Sequence, residues 1–484
     1  MEKRYASLAV LLNTLSSGSD TDKASLLQQL TALGISQQDL AVVATDKATQ
    51  ADVIAKLFGQ KLTRADGSQL DAERLVTRYS PVPKLQSVEE VPVTLILPQA
   101  TTCSPGTIRT TIFQHGITSS KDVLTNNNGA LADGIIDGNC VAIFAIDHPI
   151  HGDRALAGGL ITATVDDTDP NDAGNVGYYL NLAALPVARD NLRQSVIDVV
   201  NLRAAIGRVF YSIATGSNPG YPLGYLNPQQ GVAFVGHSLG AITGVDVGNI
   251  ANRSVDPQLD GLFFNVNTLA LANPGAGIPY LLLNSGAFGN FVKGNLVAGS
   301  DATFKATCDN VFGGNVETCF GAVQQQLIND GSAKGLADLG KMYANFNQYA
   351  YAAQTILDTV DPINHAGFIE ADVPVYLASV AGDQTIPNKL APTPVAGSIM
   401  EPYSPFGGTL PLLPALGLQA TVASQSGSVV KSALLFTEGD HSSLNGTPAS
   451  PATTTEMRKE IASLIAGDGT DLDVSDNTVL STSQ

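Results

Sequence analysis

Residues 236–240 read Gly-His-Ser-Leu-Gly. The run follows Val232-Ala233-Phe234-Val235, an apolar stretch with the character of a buried strand, and a helix-compatible stretch opens at Leu239. Strand, one sharp turn, helix is the setting that holds a serine at a strained backbone position with its hydroxyl above a sheet. Glycines two residues to either side keep side chains out of the tight crossing. The pattern makes Ser238 the first candidate nucleophile and dictates what else the chain must contain.

From about Val91 the sequence reads as strands alternating with helices. Val93–Leu97 alternates as a half-buried outer strand should, Thr107–Phe113 is β-branched, and Cys140–Ile146 is an almost continuous apolar run that fits a strand buried on both faces. A helix is expected over Asn191–Phe210, with further strands at Phe263–Leu271, Val373–Val380 and Ala433–Phe436. This rhythm predicts an α/β fold with a mostly parallel central sheet and helices on both faces. Between Pro274 and Phe368 the rhythm stops, and helical segments around Val323–Leu327 and Met342–Leu357 predict an inserted helical cap. The expected division is a short N-terminal helical segment (1–88), a core in two parts (89–275 and 369–467), the cap (276–368) and a mobile polar tail (468–484). Within the first segment, Leu27, Leu30, Leu33 and Ile35 form an apolar cluster around Gly34. Helical spacing runs from Gln50 to Phe58, and Ser80-Pro81-Val82-Pro83 is a linker candidate.

A serine hydroxyl is a weak nucleophile at neutral pH and needs a base oriented by a carboxylate. In sheets that carry such an elbow, the chain order is serine, acid, histidine. Of the six histidines, His441 stands directly after the strand Ala433–Phe436, where the base belongs; His365 is the alternative. Asp383, in Gly382-Asp383-Gln384-Thr385-Ile386-Pro387 after the strand Val373–Val380, is the expected acid, with Asp440 and Asp361 as rivals. The developing oxyanion needs backbone donors, expected from Leu239 and from Ile117 in Gln114-His115-Gly116-Ile117. His115 and Gly116 are expected to support that loop, and His237 to lie beside the serine but point away from it. Asp147-His148-Pro149-Ile150-His151-Gly152-Asp153-Arg154 is dense in potential metal ligands. It is read as a loop packed on the site's rim, because serine chemistry requires no metal or cofactor.

Composition narrows the partners. With 26 Lys+Arg against 44 Asp+Glu, the net charge of −18 repels nucleic acid, and no basic stripe is present. Cys103 with Cys140 and Cys308 with Cys319 fit two disulfides of an exported protein, four reduced buried thiols being the alternative. No run of about 18 apolar residues predicts a transmembrane helix. The apolar run after Met1-Glu2-Lys3-Arg4 is broken by Asn13 and Thr14 and lacks a clear cleavage site, as expected of a mature or truncated form.

Taken together, these motifs resemble those of the α/β-hydrolase superfamily. Gln114-His115-Gly116-Ile117, Asp147-His148-Pro149-Ile150-His151-Gly152 and Gly236-His237-Ser238-Leu239-Gly240 are similar, more narrowly, to the bacterial extracellular lipases and lysophospholipases of the virulence-factor type. The resemblance spans roughly 90–465 and implies carboxylic-ester hydrolysis on acyl glycerides or lysophospholipids, with Ser238, Asp383 and His441 as triad. It also implies secreted, periplasmic or cell-surface placement and transient contact of the cap with a lipid interface. Hydrolysis of aliphatic polyesters uses the same chemistry, and an inactive hydrolase-fold binding module is the non-enzymatic alternative.

Overall fold

The computed structural model describes residues 8–43, 46, 49, 52, 53, 56, 57, 60, 62–70, 87–98, 103–166, 174–217, 219–254 and 256–484. Much of the helix expected over Gln50–Phe58, the whole Ser80–Pro83 linker and Met1-Glu2-Lys3-Arg4 lie outside them. The chain forms two compact units, Met1–Glu89 and Glu90–Gln484.

In the first unit, helices α1 (Leu8–Ser17), α2 (Asp20–Ala32) and α3 (Gln37–Val42) follow one another. Ser19 caps α2 by accepting the amide of Asp22, and Ser36 with Asp39 forms a reciprocal capping box at α3. The core is set by Leu26 and Leu30, one helical turn apart, together with Leu11, Ile35 and Leu62. Leu27, expected in this cluster with Leu30, Leu33 and Ile35, is only half-buried, because the i, i+4 face of α2 runs through 26 and 30.

The second unit is built on strands β1 (Val93–Ile96), β2 (Arg109–Gln114), β3 (Val141–Ile146), β4 (Val232–His237), β5 (Thr268–Ala272) and β6 (Val375–Val380). A small β7–β8 hairpin (Pro394–Ala396, Ile399–Met400) follows, then β9 (Gln419–Ala420), β10 (Lys431–Phe436) and β11 (Leu480–Ser481). The main sheet runs β1-β3-β2-β4-β5-β6-β10-β11, with β9 also pairing β10. All pairings from β3 through β10 are parallel, while β1 and β11 add antiparallel edges. Both faces are covered, and alternate residues of each strand enter different cores. On β3, Ala142, Phe144 and Ile146 face helices α5 (Leu185–Ala214) and α6 (Leu239–Ala251), whereas Val141, Ile143 and Ala145 face α4 (Asn126–Ile136) and α12 (Pro451–Ala466).

Between β5 and β6 lie α7 (Ile278–Asn284), α8 (Gly289–Ser300), α9 (Ala302–Val311), α10 (Val316–Asp330) and α11 (Ala333–Leu357). They share a core of Phe304, Phe320, Leu339, Tyr343 and Phe346. A disulfide joins Cys308 of α9 to Cys319 of α10, and a second joins Cys103 to Cys140 at the foot of β3. No helix among the described residues is long and apolar enough to cross a membrane.

Two expectations need correction. The strand expected from Phe263 starts at Thr268, because Asp260–Phe263 is a helical turn whose carbonyls at 261 and 262, with that of Asn265, are held by the buried Arg203 guanidinium. The tail after Gly467, expected to be mobile, is docked on the sheet. Leu472, Val479 and Leu480 are buried, β11 pairs with β10, and the Gln484 amide donates to the carbonyls of Ser379 and Phe436. Its polar composition concealed widely spaced apolar anchors that dock along the sheet edge.

Candidate active site

At the end of β4, Ser238 adopts φ 55°, ψ −118°, and its amide donates to Ala272 O at 2.9 Å, fixing the turn to β5. The crossing is tight: a Cβ on Gly240 would lie 2.1 Å from Gln114 O, and one on Gly236 would lie 2.4 Å from Gly240 O. Gly240→Ala is therefore expected to cost at least about 1–3 kcal/mol of stability, read as a lower urea midpoint at unchanged slope.

Ser238 Oγ lies 2.7 Å from His441 Nε2, and His441 Nδ1 lies 2.6 Å from Asp383 Oδ2. The other carboxylate oxygen, Oδ1, accepts the amides of Thr385 (2.7 Å) and Ile386 (3.0 Å). The loops after β4, β6 and β10 thus bring together three residues 145 and 58 positions apart in sequence. His441 is held by its own carbonyl, which accepts from His237 Nε2 and from Asn273 Nδ2, each at 2.8 Å. A carbonyl only accepts, so His237 carries its proton on Nε2, and burial pushes its pKa down to about 4, keeping it neutral. His237 does not simply point away, as expected from its place in the elbow; it buttresses the loop of the base. Asn273, directly after β5, was missed by sequence reasoning. Its position one residue past a core strand, level with the elbow, was the available signal.

Gly116 packs on the serine: a Cβ there would meet Ser238 Cβ at 3.0 Å and Oγ at 3.5 Å. The amides of Ile117 and Leu239 have no hydrogen-bond partner among the described residues, and both residues line the void beside Ser238. That void, of about 40 Å³, is otherwise walled by apolar groups including Leu180, Ile242, Leu281, Phe288 and Ile386. A second apolar void shares Ile117, Leu180, Leu282 and Phe288 with it and extends toward Phe291 and Val292 of α8.

The rivals lie elsewhere. Asp361 accepts the amides at the start of α7, from Gly277 and Ile278, and that of Ile363. Asp440 accepts the amide of Ser442. His365 pairs with Asn249 and the Thr359 carbonyl. Asp147 is engaged by the amide and ammonium of buried Lys121 and by the amide of Asp153, and His148 by Ser195 and the His115 carbonyl.

The strand order with its antiparallel first strand, the elbow after β4, and an acid and a histidine after β6 and β10 define the α/β-hydrolase fold. No protein-family model and no curated protein matches the sequence. Among solved structures, the chain is similar to a monoacylglycerol lipase from Paleococcus ferrophilus (13% identity, TM-score 0.35, covering 78% of this chain and 100% of that one). It is also similar to a soluble variant of monoglyceride lipase from Saccharomyces cerevisiae (9%, TM-score 0.37, 80% and 97%). An enol-lactonase from Burkholderia xenovorans is a further match (14%, TM-score 0.26, 61% and 80%). At such values the fold class rests on the chain's own topology rather than on these likenesses.

Proposed function

We propose that this protein is a serine carboxylic-ester hydrolase that works through an acyl-enzyme. The observation that carries the proposal is the Ser238–His441–Asp383 hydrogen-bonded chain at 2.7 and 2.6 Å. His441 Nε2 takes the proton of Ser238 as Oγ attacks the ester carbonyl. The tetrahedral oxyanion is held by the amides of Ile117 and Leu239. Collapse of the intermediate breaks the bond to the alcohol, which leaves with the proton from His441. Water then attacks the acyl-enzyme by the same route and regenerates Ser238. Asp383 fixes the proton of neutral His441 on Nδ1 and stabilises the imidazolium.

The apolar void beside Ser238 favours an aliphatic acyl group, as in acyl glycerides, lysophospholipids or aliphatic polyesters. The helices between β5 and β6 supply part of its wall and act as a cap that meets a lipid interface. Two disulfides support an exported protein. A p-nitrophenyl ester series from acetate to palmitate, with labelling by a fluorophosphonate, tests the proposal. Turnover that disappears on Ser238 labelling is expected, with an optimum beyond acetate. Failure of every ester and of labelling would leave a binding module of hydrolase fold.

A further inference from the structure

The loop that offers Ile117 has an unusual foundation. Its His115–Gly116 stretch is tied to the loop after β3 by His148, through a reciprocal pair of bonds. The His148 amide donates to His115 Nε2 at 3.0 Å, and His148 Nε2 donates to the His115 carbonyl at 2.9 Å. His115 Nδ1 in turn donates to Gly116 O at 2.7 Å. Because carbonyls only accept, the protons are fixed: Nδ1 on His115, Nε2 on His148. His148 Nδ1 is then an acceptor, and its donor is Ser195 Oγ at 2.9 Å. The Asn191 carbonyl at 3.1 Å competes for that proton, but Nδ1 has no other donor among the described residues. Ser195 Oγ accepts in turn from Tyr179 Oη at 2.7 Å.

Every member of this chain is buried. Burial holds both rings neutral, pushing His115 down to about 4 and His148 well below the usual imidazole range, as one proton per ring requires. Asp147 lies 3.6 Å from His115 Nε2, but that nitrogen's lone pair already takes the His148 amide, so the two form no ion pair.

We infer that His148 is a positioning residue for acyl transfer. It fixes the His115–Gly116 main chain so that the Ile117 amide is aimed at the oxyanion beside Ser238. This rests on the ester-hydrolase proposal. Such a donor acts only in the transition state, and a displacement of about 1 Å costs about a hundredfold. The role therefore shows in kcat and not in KM.

The test is His148→Leu, His148→Gln and Ser195→Ala, assayed on one p-nitrophenyl ester and by the rate of fluorophosphonate labelling, with near-UV circular dichroism to verify the fold. Folded His148→Leu is expected to lose about 30- to 100-fold in kcat with KM changed less than about threefold, and labelling should slow in parallel. Glutamine, whose amide nitrogen reaches the position of Nε2, is expected to recover most of the loss. Ser195→Ala, far from substrate, should show a smaller fall of the same kind, about three- to tenfold, and decides the matter if His148→Leu does not fold. Unchanged kcat, a loss confined to KM, or no rescue by glutamine would overturn the role while the wild type remains an active esterase. A wild type inert to ester and fluorophosphonate would overturn the ester-hydrolase proposal and this inference with it.

Discussion

Alanine at position 238 is expected to lower kcat by about 10⁴- to 10⁶-fold while leaving the protein folded. The Oγ atom is the only part of the side chain that changes, and its hydrogen bond goes to His441 Nε2. It plays no part in capping α6. The strained φ of 55° is set by the Ser238 amide on Ala272 O and by the packing around Gly240, neither of which alanine disturbs. The oxyanion donors and the acyl void survive, so a residue of catalysis over water and near-normal substrate binding should remain. Steady-state kinetics on a butyrate ester, beside the thermal midpoint, checks both halves. A clean Ser238→Ala preparation that keeps a tenth of wild-type turnover would remove Ser238 from the nucleophile's place.

The elbow was legible in the sequence because its constraints are local. Gly236, Ser238 and Gly240 are set by a single crossing of strand, helix and the end of β2, and five residues carry the whole signal. Asp383 and His441 were legible for a weaker reason: a parallel sheet delivers the ends of its strands to one edge, so a polar residue just past a core strand is a candidate wherever it falls. The supports were not legible. His148 reaching back 33 residues to His115, and Gln484 joining the ends of β6 and β10, obey no period, and although His148 stands in a run read as packed on the site's rim, nothing in that run names its partner. The same holds for α2, whose buried face takes Leu26 beside the expected Leu30 and leaves Leu27 half-buried. Chemistry at strand ends is encoded by position, whereas the hydrogen bonds that brace it are encoded only by the completed fold.

Asp383→Asn should be nearly as damaging as loss of the serine, at about 10⁴-fold in kcat, although it changes only an oxygen to an amide nitrogen. The reason lies in how the carboxylate is held. Its Oδ1 accepts two backbone amides, from Thr385 and Ile386, and only an oxygen can occupy that position. An asparagine must therefore place its carbonyl there and turn its NH₂ toward His441 Nδ1, the site now filled by Oδ2 at 2.6 Å. An NH₂ facing Nδ1 requires that nitrogen to be unprotonated, which moves the imidazole proton to Nε2, facing Ser238 Oγ. The base then presents a proton where it must accept one. KM should change little, since Asp383 does not border the ester, and fluorophosphonate labelling should slow with kcat. Raising the pH does not restore the tautomer, so the loss is expected to persist across the alkaline range. Activity recovered at high pH, or a loss confined to KM, would mean that Asp383 does not orient His441.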